Sequence, residues 1–363
     1  MFNNVYAGRR VLVTGHTGFK GSWLCQWLLR LGAEVAGFSL YLPSQPCNFE
    51  VLGLERQLSD RRGDIREYAE LEQAITAFQP EIVFHLAAQA IVRTSYDEPK
   101  LTFDTNLGGT VNLLEVIRKT PSVRATVLIT SDKCYENVEW EYGYRENDRL
   151  GGKDPYSASK ACAEIAIAAY ARSYFVQTEQ KITSTRAGNV IGGGDWAKDR
   201  IAPDCARAWA EGRALTVRNP SATRPWQHVL EPLSGYLWLG AQLLQGQAGL
   251  NCEAFNFGPR AEVNQPVSVL IGEMAKVWQG AGFNIESDAG QKPEAGLLKL
   301  CCDKTLNRLG WSALLTFEET VRMTAEWYRE YYAGQQDMGA YSNAQIQAYE
   351  KLALERGMSW AKS

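Results

Sequence analysis

A tyrosine and a lysine four residues apart are the first residues of this chain whose types and spacing could do chemistry. Tyr156 and Lys160 stand in the segment Tyr-Ser-Ala-Ser-Lys, and residues i and i+4 share one face of a helix. A lysine ammonium beside a phenol lowers the pKa of the phenol from its reference value of about 10. The phenol is then a usable base toward a sugar or alcohol hydroxyl. Because the pair is common by chance, its meaning depends on the segments around it.

A polar cluster precedes this pair, at the end of an apolar run. Ser131, Asp132 and Lys133 follow directly after residues 125–130, which read as a buried strand. Because ligands of parallel α/β sheets bind at the carboxyl ends of the strands, this cluster is predicted to face the same site as Tyr156. The alternative is an exposed Asp132–Lys133 ion pair beside the site, which contributes at most about 1 kcal/mol.

A glycine-rich turn near the N-terminus predicts a dinucleotide site. Gly15, Gly18 and Gly21 lie between the first predicted strand and the first helix. Glycines at this spacing allow a tight turn, close approach of a pyrophosphate, and free helix N–H groups that face its negative charge. The acidic residue expected about 20 residues on is missing, since Ser39 stands there, so the choice between NAD and NADP stays open. Asp64 could meet the adenine or could be an ordinary exposed strand-end carboxylate.

Short β-branched runs alternate with helical stretches in the first half of the chain. The predicted strands are 10–14, 34–38, 81–86, 125–130 and 182–186, and the predicted helices are 22–31, 67–78, 105–119 and 157–173. This alternation predicts an α/β fold with a Rossmann-type, doubly wound parallel sheet. We expect the dinucleotide-binding domain at 1–190 plus about 226–262, and a smaller mixed α/β substrate lobe at 191–225 and 263–363.

Composition excludes several classes of protein. The 363 residues include 38 Lys plus Arg and 41 Asp plus Glu, a net charge of −3, which argues against a nucleic-acid-binding surface. No apolar run approaches the roughly 20 residues of a membrane span, and no signal peptide precedes the first strand, so we expect a soluble, cytoplasmic protein. The 8 cysteines form no CxxC pair and the 3 histidines lack metal-ligand spacing, so no metal site is expected.

These motifs together resemble the extended short-chain dehydrogenase/reductase family over nearly the whole chain. The matching segments are Thr14–Gly21, His85–Ala88, Asn106 with Gly109 and Thr110, Ser131–Tyr135, Tyr156 with Lys160, Arg186–Asn189 and Arg224–Val229. The resemblance implies that Ser131 orients a substrate hydroxyl, Tyr156 exchanges its proton, and Lys160 holds the nicotinamide ribose. It implies NAD as the cofactor, contacted by Gly15, Thr17, Gly18, Phe19, Gly21, Ser39, Asp64, Ile65, Leu86, Ala87, Ala88, Asn106, Tyr156 and Lys160.

The residues after Ser131 resemble one branch of this family, the nucleotide-sugar 4,6-dehydratases. Epimerases of the family carry small neutral residues where this chain has Asp132 and Lys133. The resemblance implies oxidation of C4 of a hexose, loss of water across C5 and C6 with Asp132 as acid and Lys133 as base, and return of hydride to C6. Burial would raise the pKa of Asp132 as an acid requires. The segments 130–137, 15–23 and 224–229 together are similar to dehydratases that act on CDP-glucose. The resemblance implies a supply of deoxysugars for surface polysaccharide such as O-antigen.

The same resemblance suggests how a nucleotide sugar is held and how the chain assembles. The candidate substrate contacts are Gln89, Ser95, Asn189, Arg200, Arg224 and Trp226. Arg224 is the candidate for the diphosphate, whereas Trp226 flanks the base or packs the lobe interface. Family members pair through helices equivalent to 106–119 and 156–173, which implies a homodimer or homotetramer; simple burial of these helices is the alternative.

Two further classes of function stay open. The first is a UDP-N-acetylhexosamine dehydratase or a nucleotide-sugar 4-epimerase of the same family, because no short motif reads the nucleotide base. The second is a non-catalytic NAD(H)-binding regulator, which has little reason to keep Ser131, Tyr156 and Lys160 together with Asp132.

Overall fold

The computed structural model describes residues 1–197, 200–217, 219–260, 263–285 and 297–362. The strands are β1 Arg10–Thr14, β2 Glu34–Ser39, β3 Ser59–Arg62, β4 Ile82–His85, β5 Ala125–Ile129, β6 Lys181–Arg186, β7 Val190–Ile191, β8 Leu215–Val217, β9 Thr223–Pro225, β10 Gln227–His228, β11 Ala254–Asn256, β12 Asn264–Pro266 and β13 Phe283–Ile285. The helices are α1 Phe19–Arg30, α2 Asn48–Val51, α3 Tyr68–Phe78, α4 Val92–Asp97, α5 Pro99–Phe103, α6 Gly109–Arg118, α7 Pro155–Tyr170, α8 Ile201–Ala210, α9 Leu230–Leu244, α10 Val267–Ala275, α11 Asp303–Leu309, α12 Phe317–Ala333 and α13 Met338–Glu355.

The main sheet has seven parallel strands within the described residues, in the order β11-β6-β5-β4-β1-β2-β3. The order reverses at β1, whose Thr14 pairs with Phe38 of β2 on one side and with His85 of β4 on the other. A crevice opens at such a reversal, beyond the carboxyl ends of the strands, and ligands of doubly wound folds bind there. The predicted Rossmann-type fold is confirmed.

Apolar side chains cover both faces of this sheet. Strands β4 and β5 are buried at every position, as expected of parallel strands with helices on both sides. One face packs in a core that includes Trp23, Trp27 and Leu233, and the other packs on Leu71, Leu113 and other residues of α3 and α6. The apolar cores on the two faces both end at the carboxyl edge of the sheet, where the side chains are polar.

A smaller group of elements lies beyond the sheet. Strand β8 pairs with β13, strand β9 pairs with β12, and helices α8 and α10 contribute Trp209 and Leu270 to a separate apolar core. The last helix packs on the Rossmann helix α1, where the Trp27 indole donates to the Glu350 carboxylate at 2.9 Å. The predicted domain boundaries stay a prediction, and this contact ties residues near 350 to the first domain.

The described residues contain no candidate for a membrane-spanning helix or a metal site. No helix there has the length and apolar character that a membrane crossing requires. No group of three or more His, Cys, Asp or Glu side chains there could hold a metal ion, and the cysteines are free thiols.

Candidate active site

The glycine turn after β1 crosses the loop after β4 so closely that side chains do not fit. Gly15 has φ +75, and a Cβ added to it would lie 2.6 Å from the backbone nitrogen of Ala87. A Cβ on Gly21 would lie 2.1 Å from the Gly15 carbonyl oxygen. The Ala87 N–H donates to the Thr14 hydroxyl at 3.3 Å, which fixes the crossing. The turn therefore leaves bare backbone at the crevice.

Helix α1 begins in this turn and leaves its first N–H groups to an anion. Gly18 is the N-cap, and no side chain of the described residues caps the helix. Its first turn holds Phe19 and Lys20 and no acidic residue. Thr17 lies beside the turn, where its hydroxyl donates to the Tyr41 carbonyl at 2.8 Å. An uncapped helix N-terminus behind a bare glycine turn fits a pyrophosphate.

The end of β2, where an acidic residue was missing, is filled by a histidine from the glycine turn. His16 contacts the Ser39 hydroxyl through Nδ1 at 2.9 Å and the Asp60 carboxylate through Nε2 at 2.9 Å. Burial lowers the pKa of His16, and Asp60 opposes that shift. Asp60 also accepts from Arg62 at 2.8 Å. A carboxylate from β3 thus stands behind the histidine, while Ser39 itself is buried.

The other predicted cofactor residues line the same edge. Asp64 accepts from Arg66 at 2.5 Å, and Ile65 packs so tightly on Gly109 that no side chain fits there. Leu86 and Ala88 flank Ala87 in the loop after β4. The Asn106 side chain accepts from the Gln89 N–H at 2.8 Å and donates to the Gln89 carbonyl at 3.0 Å. Asn106 therefore fixes the loop after β4, and its contact with a cofactor stays a prediction.

Tyr156 and Lys160 lie on the first turns of α7 and are buried. Asp154 caps this helix by accepting from the Ser157 N–H at 2.9 Å, and Ser95 accepts from the Tyr156 N–H at 3.2 Å. Burial raises the pKa of Tyr156 to about 12, against the effect of a hydrogen bond with Ser131. Burial lowers the pKa of Lys160 to about 8.

The polar cluster after β5, residues 131–133, lies beside Tyr156. The Ser131 hydroxyl donates to the Asp132 carboxylate at 3.0 Å and accepts from the Lys133 N–H at 3.3 Å. Asp132 is 3% exposed, and burial raises its pKa. Its Oδ2 packs on Gly188, where an added Cβ would lie 1.8 Å away. The alternative of an exposed Asp132–Lys133 ion pair is therefore wrong.

One lysine at this site was missed in the sequence analysis. Lys20, in the first turn of α1, places its ammonium 5.9 Å from the centre of the Tyr236 ring. Burial lowers its pKa to about 8, Arg200 and Lys160 add to that shift, and Asp132 opposes it. The sequence does indicate this residue, because Lys20 directly precedes Gly21, the last glycine of the turn, and the glycines alone do not predict its role.

Three of the six predicted substrate residues are Arg200, Asn189 and Arg224. Arg200 pairs with Asp195 at 2.7 Å and acts electrostatically on Tyr156, so it belongs to the site. Asn189 follows β6 with φ 45, a left-handed conformation that asparagine tolerates better than most residues. Arg224 lies on β9 and donates to the Thr223 carbonyl at 2.8 Å.

The other three predicted substrate residues, Gln89, Ser95 and Trp226, also hydrogen-bond within the protein. The Gln89 side-chain amide donates to the Ile91 carbonyl and to the Thr102 hydroxyl, at 3.1 and 2.9 Å. Ser95 is fully buried and donates to the Val92 carbonyl at 2.6 Å. Trp226 is buried in the core of the smaller lobe, with its indole N–H on the Gln265 carbonyl at 3.0 Å. Roles of these three side chains toward a substrate stay predictions.

We predict that Gly15→Ala weakens the binding of NADH at least 100-fold, because the new Cβ meets backbone that cannot move aside and φ +75 is strained for alanine. Gly18→Ala is the matched control, because its Cβ would lie 3.2 Å from a single carbonyl oxygen. Fluorescence titration measures both affinities. Equal losses in the two variants would contradict this account of the turn.

Comparison with known proteins agrees with this geometry. The family described as GDP-mannose 4,6 dehydratase matches residues 12–324. CDP-glucose 4,6-dehydratase of Salmonella typhimurium is 45% identical over 351 residues, 95% of this chain and 97% of that protein. The crystal structure of UDP-glucose 4-epimerase of Thermus thermophilus in complex with NAD superposes with a TM-score of 0.75 at 27% identity, covering 88% of this chain and 99% of that one.

A second solved structure shows the same fold. The dTDP-glucose 4,6-dehydratase of Bacillus anthracis in complex with NAD has a TM-score of 0.72 at 22% identity, covering 89% of this chain and 97% of that one. The family match covers most of the chain, and the Salmonella relative aligns over nearly its full length. The chain therefore belongs to the GDP-mannose 4,6-dehydratase family of nucleotide-sugar dehydratases, within the extended short-chain dehydrogenases/reductases.

Proposed function

We propose that this chain is an NAD-dependent CDP-glucose 4,6-dehydratase, which converts CDP-glucose into CDP-4-keto-6-deoxyglucose and water. The observation that carries the proposal is the buried Asp132 carboxylate. It accepts a hydrogen bond at 3.0 Å from Ser131, whose hydroxyl also hydrogen-bonds with Tyr156. An acid at that point is useful for expelling a hydroxyl group and has no use in a simple epimerisation. The Salmonella relative, at 45% identity, supports CDP-glucose as the substrate.

NAD is the cofactor of this proposal. The bare turn at Gly15, the uncapped start of α1 and the edge formed by Asp64 and Ile65 are the surfaces that would hold it. When bound, it supplies a hydride acceptor for C4 of the sugar and a hydride donor for C6. Because the cofactor ends as it began, no other oxidant or reductant is required.

The first step asks the protein to remove a proton from the C4 hydroxyl. Ser131 orients that hydroxyl, and Tyr156 takes the proton. Because burial raises the pKa of Tyr156 to about 12, the phenol needs positive charge nearby to ionise. Arg200 supplies such a charge and lowers the pKa of Tyr156. Lys160, one turn later on the same helix, is the second positive charge near the phenol.

The second step removes water across C5 and C6. A ketone at C4 makes the C5 proton acidic, so Lys133 can take it while Asp132 gives a proton to the departing C6 hydroxyl. Burial raises the pKa of Asp132 and so favours the protonated form that donates. Gly188 matters here because any larger residue would push the carboxylate away.

Arg224 and Arg200 are the proposed contacts of the substrate diphosphate, with Asn189 as a neutral donor. Bidentate guanidinium groups suit phosphate oxygens.

We further propose that two copies pair through α6 and α7, as a homodimer or as half of a homotetramer, in the cytoplasm. Ile165 on α7 supports this, because it is 58% exposed, and Tyr174, just beyond the end of α7, is 48% exposed. Light scattering that finds a monomer at micromolar concentration would contradict the pairing.

A substrate panel tests the proposed function. We expect turnover of CDP-glucose at least 100-fold faster, in kcat/KM, than that of UDP-, GDP- or dTDP-glucose, with a 4-keto product detected by its absorbance in alkali. Preference for UDP-N-acetylglucosamine would identify the alternative dehydratase, and a C4 epimer without loss of water would identify an epimerase. Absence of turnover with every sugar nucleotide would leave the non-catalytic regulator.

Two substitutions separate oxidation from elimination. We expect Asp132→Asn and Lys133→Met to spare oxidation of C4 and to slow the loss of water at least 100-fold, in line with the usual size of acid–base catalysis. Rapid-quench analysis of the sugar together with the absorbance of reduced nicotinamide measures the two steps. Cys134→Ser, on the same turn but not assigned to chemistry, is the control. Full dehydration by both variants would refute the assignment.

A further inference from the structure

A buried ion pair lies directly behind the reactive residues and takes no part in the chemistry proposed above. Arg186 at the end of β6 donates to the Glu164 carboxylate at 2.7 Å, and the two side chains are 4% and 3% exposed. Although burial alone would raise the pKa of Glu164, Arg186 and two hydroxyl donors hold it below its usual value. The pair is therefore ionised at neutral pH.

Glu164 joins two reactive segments. It lies on α7 one turn beyond Lys160, and its carboxylate accepts from the Thr130 hydroxyl at 2.5 Å and from the Ser184 hydroxyl at 2.9 Å. Thr130 immediately precedes Ser131. The carboxylate thus ties the helix that carries Tyr156 to the start of the polar turn after β5.

Arg186 holds the other end of that turn. Its guanidinium donates to the Tyr135 hydroxyl at 2.8 Å and lies 4.9 Å from the centre of the Tyr135 ring. The Tyr135 hydroxyl donates in turn to Asn256 at 2.8 Å. Tyr135 follows Cys134 directly, so the turn with the elimination acid and base is fixed at both ends through one ion pair.

Glu164 also acts on the charge of Lys160. Burial lowers the pKa of Lys160, and Glu164 opposes that shift. Cys134 after β5 also raises the pKa of Lys160. His85 on β4 and Lys20 on α1 lie near enough that the charge of Lys160 lowers their own pKa values. His85 is neutral because burial lowers its pKa to about 3, and burial raises the pKa of Cys134. Glu164 therefore supplies the negative charge that favours a protonated Lys160.

We propose that Glu164 and Arg186 are a positioning pair whose two ends govern the two steps of the reaction. The Glu164 carboxylate, one turn further along α7, keeps Lys160 charged for the oxidation of C4. The guanidinium, through Tyr135, fixes the turn that carries the acid and base of the elimination. This inference rests on the proposed function, although the effect of Glu164 on Lys160 is tested through cofactor binding alone.

Glu164→Gln tests the first part without any sugar. The amide keeps the shape and removes the charge, so Lys160 should lose its proton at lower pH. We expect the alkaline loss of NADH affinity to move down by about one pH unit, the lower end of the effect of an adjacent opposite charge. Because the variant leaves Arg186 unpaired in the interior, the double variant Glu164→Gln/Arg186→Gln is made beside it. The double variant should show a smaller downward shift, because the opposing guanidinium charge is also gone.

Tyr135→Phe tests the second part and keeps the ring. We expect dehydration of CDP-glucose to slow about tenfold, an effect of about 1.4 kcal/mol on the barrier, while oxidation of C4 keeps the wild-type rate and the NADH pH profile is unchanged. Tyr144→Phe, which removes the hydroxyl of the tyrosine stacked on Tyr135, is the matched control and should leave both steps intact.

The outcomes separate the possible failures. No pH shift in the Glu164 variants, or an equal shift in the single and double variants, would overturn the electrostatic part. Equal slowing of both steps by Tyr135→Phe would show general damage and would overturn the division between the two ends. If the wild-type protein dehydrates no sugar nucleotide, the proposed function fails, and the NADH titrations still decide the role of Glu164.

Discussion

Withdrawal of ionisable side chains from water at the carboxyl edge of the sheet is the constraint on which this structure depends. Burial raises the pKa of Asp132 and lowers the pKa of Lys160 and Lys20 to about 8. In water at neutral pH a carboxyl group is ionised and a lysine amine is protonated, because water strongly solvates the charged form of each. Burial at this edge therefore moves the pKa values of Asp132, Lys160 and Lys20 toward neutrality.

Such burial costs hydration energy unless each group has hydrogen-bond or charge partners, and the backbone must also leave room for it. Gly188 leaves room for the Asp132 carboxylate, and Gly15 lets two loops cross where a side chain would collide. In the buried pair of Glu164 and Arg186, both carboxylate oxygens and both terminal guanidinium nitrogens are hydrogen-bonded, which favours the tolerance of an internal ion pair. Arg186 Nε has no partner among the described residues. Fold and chemistry are therefore coupled, because the same edge that ends the apolar core supplies the polar groups.

The alternation of strands and helices made the sheet predictable, since buried parallel strands such as β4 and β5 are continuous apolar runs. Strand β3, Ser-Asp-Arg-Arg, carries no such pattern, because it lies at the edge of the sheet. The reactive residues were found because they are close in sequence or follow strands. The pairing of Glu164 with Arg186 and the burial of Trp226 depend on contacts between distant segments, which no local spacing encodes.

The central claim is that a hydride removed from C4 of the hexose returns to C6 of the same molecule, so that the protein's own side chains move only protons. CDP-glucose labelled with deuterium at C4 tests it most directly, by mass spectrometry and proton NMR of the product. We predict that one deuterium appears in the C6 methyl group, together with an unlabelled hydrogen from solvent at C5. A methyl group free of deuterium, with the label released to solvent or retained at C4, would contradict the account.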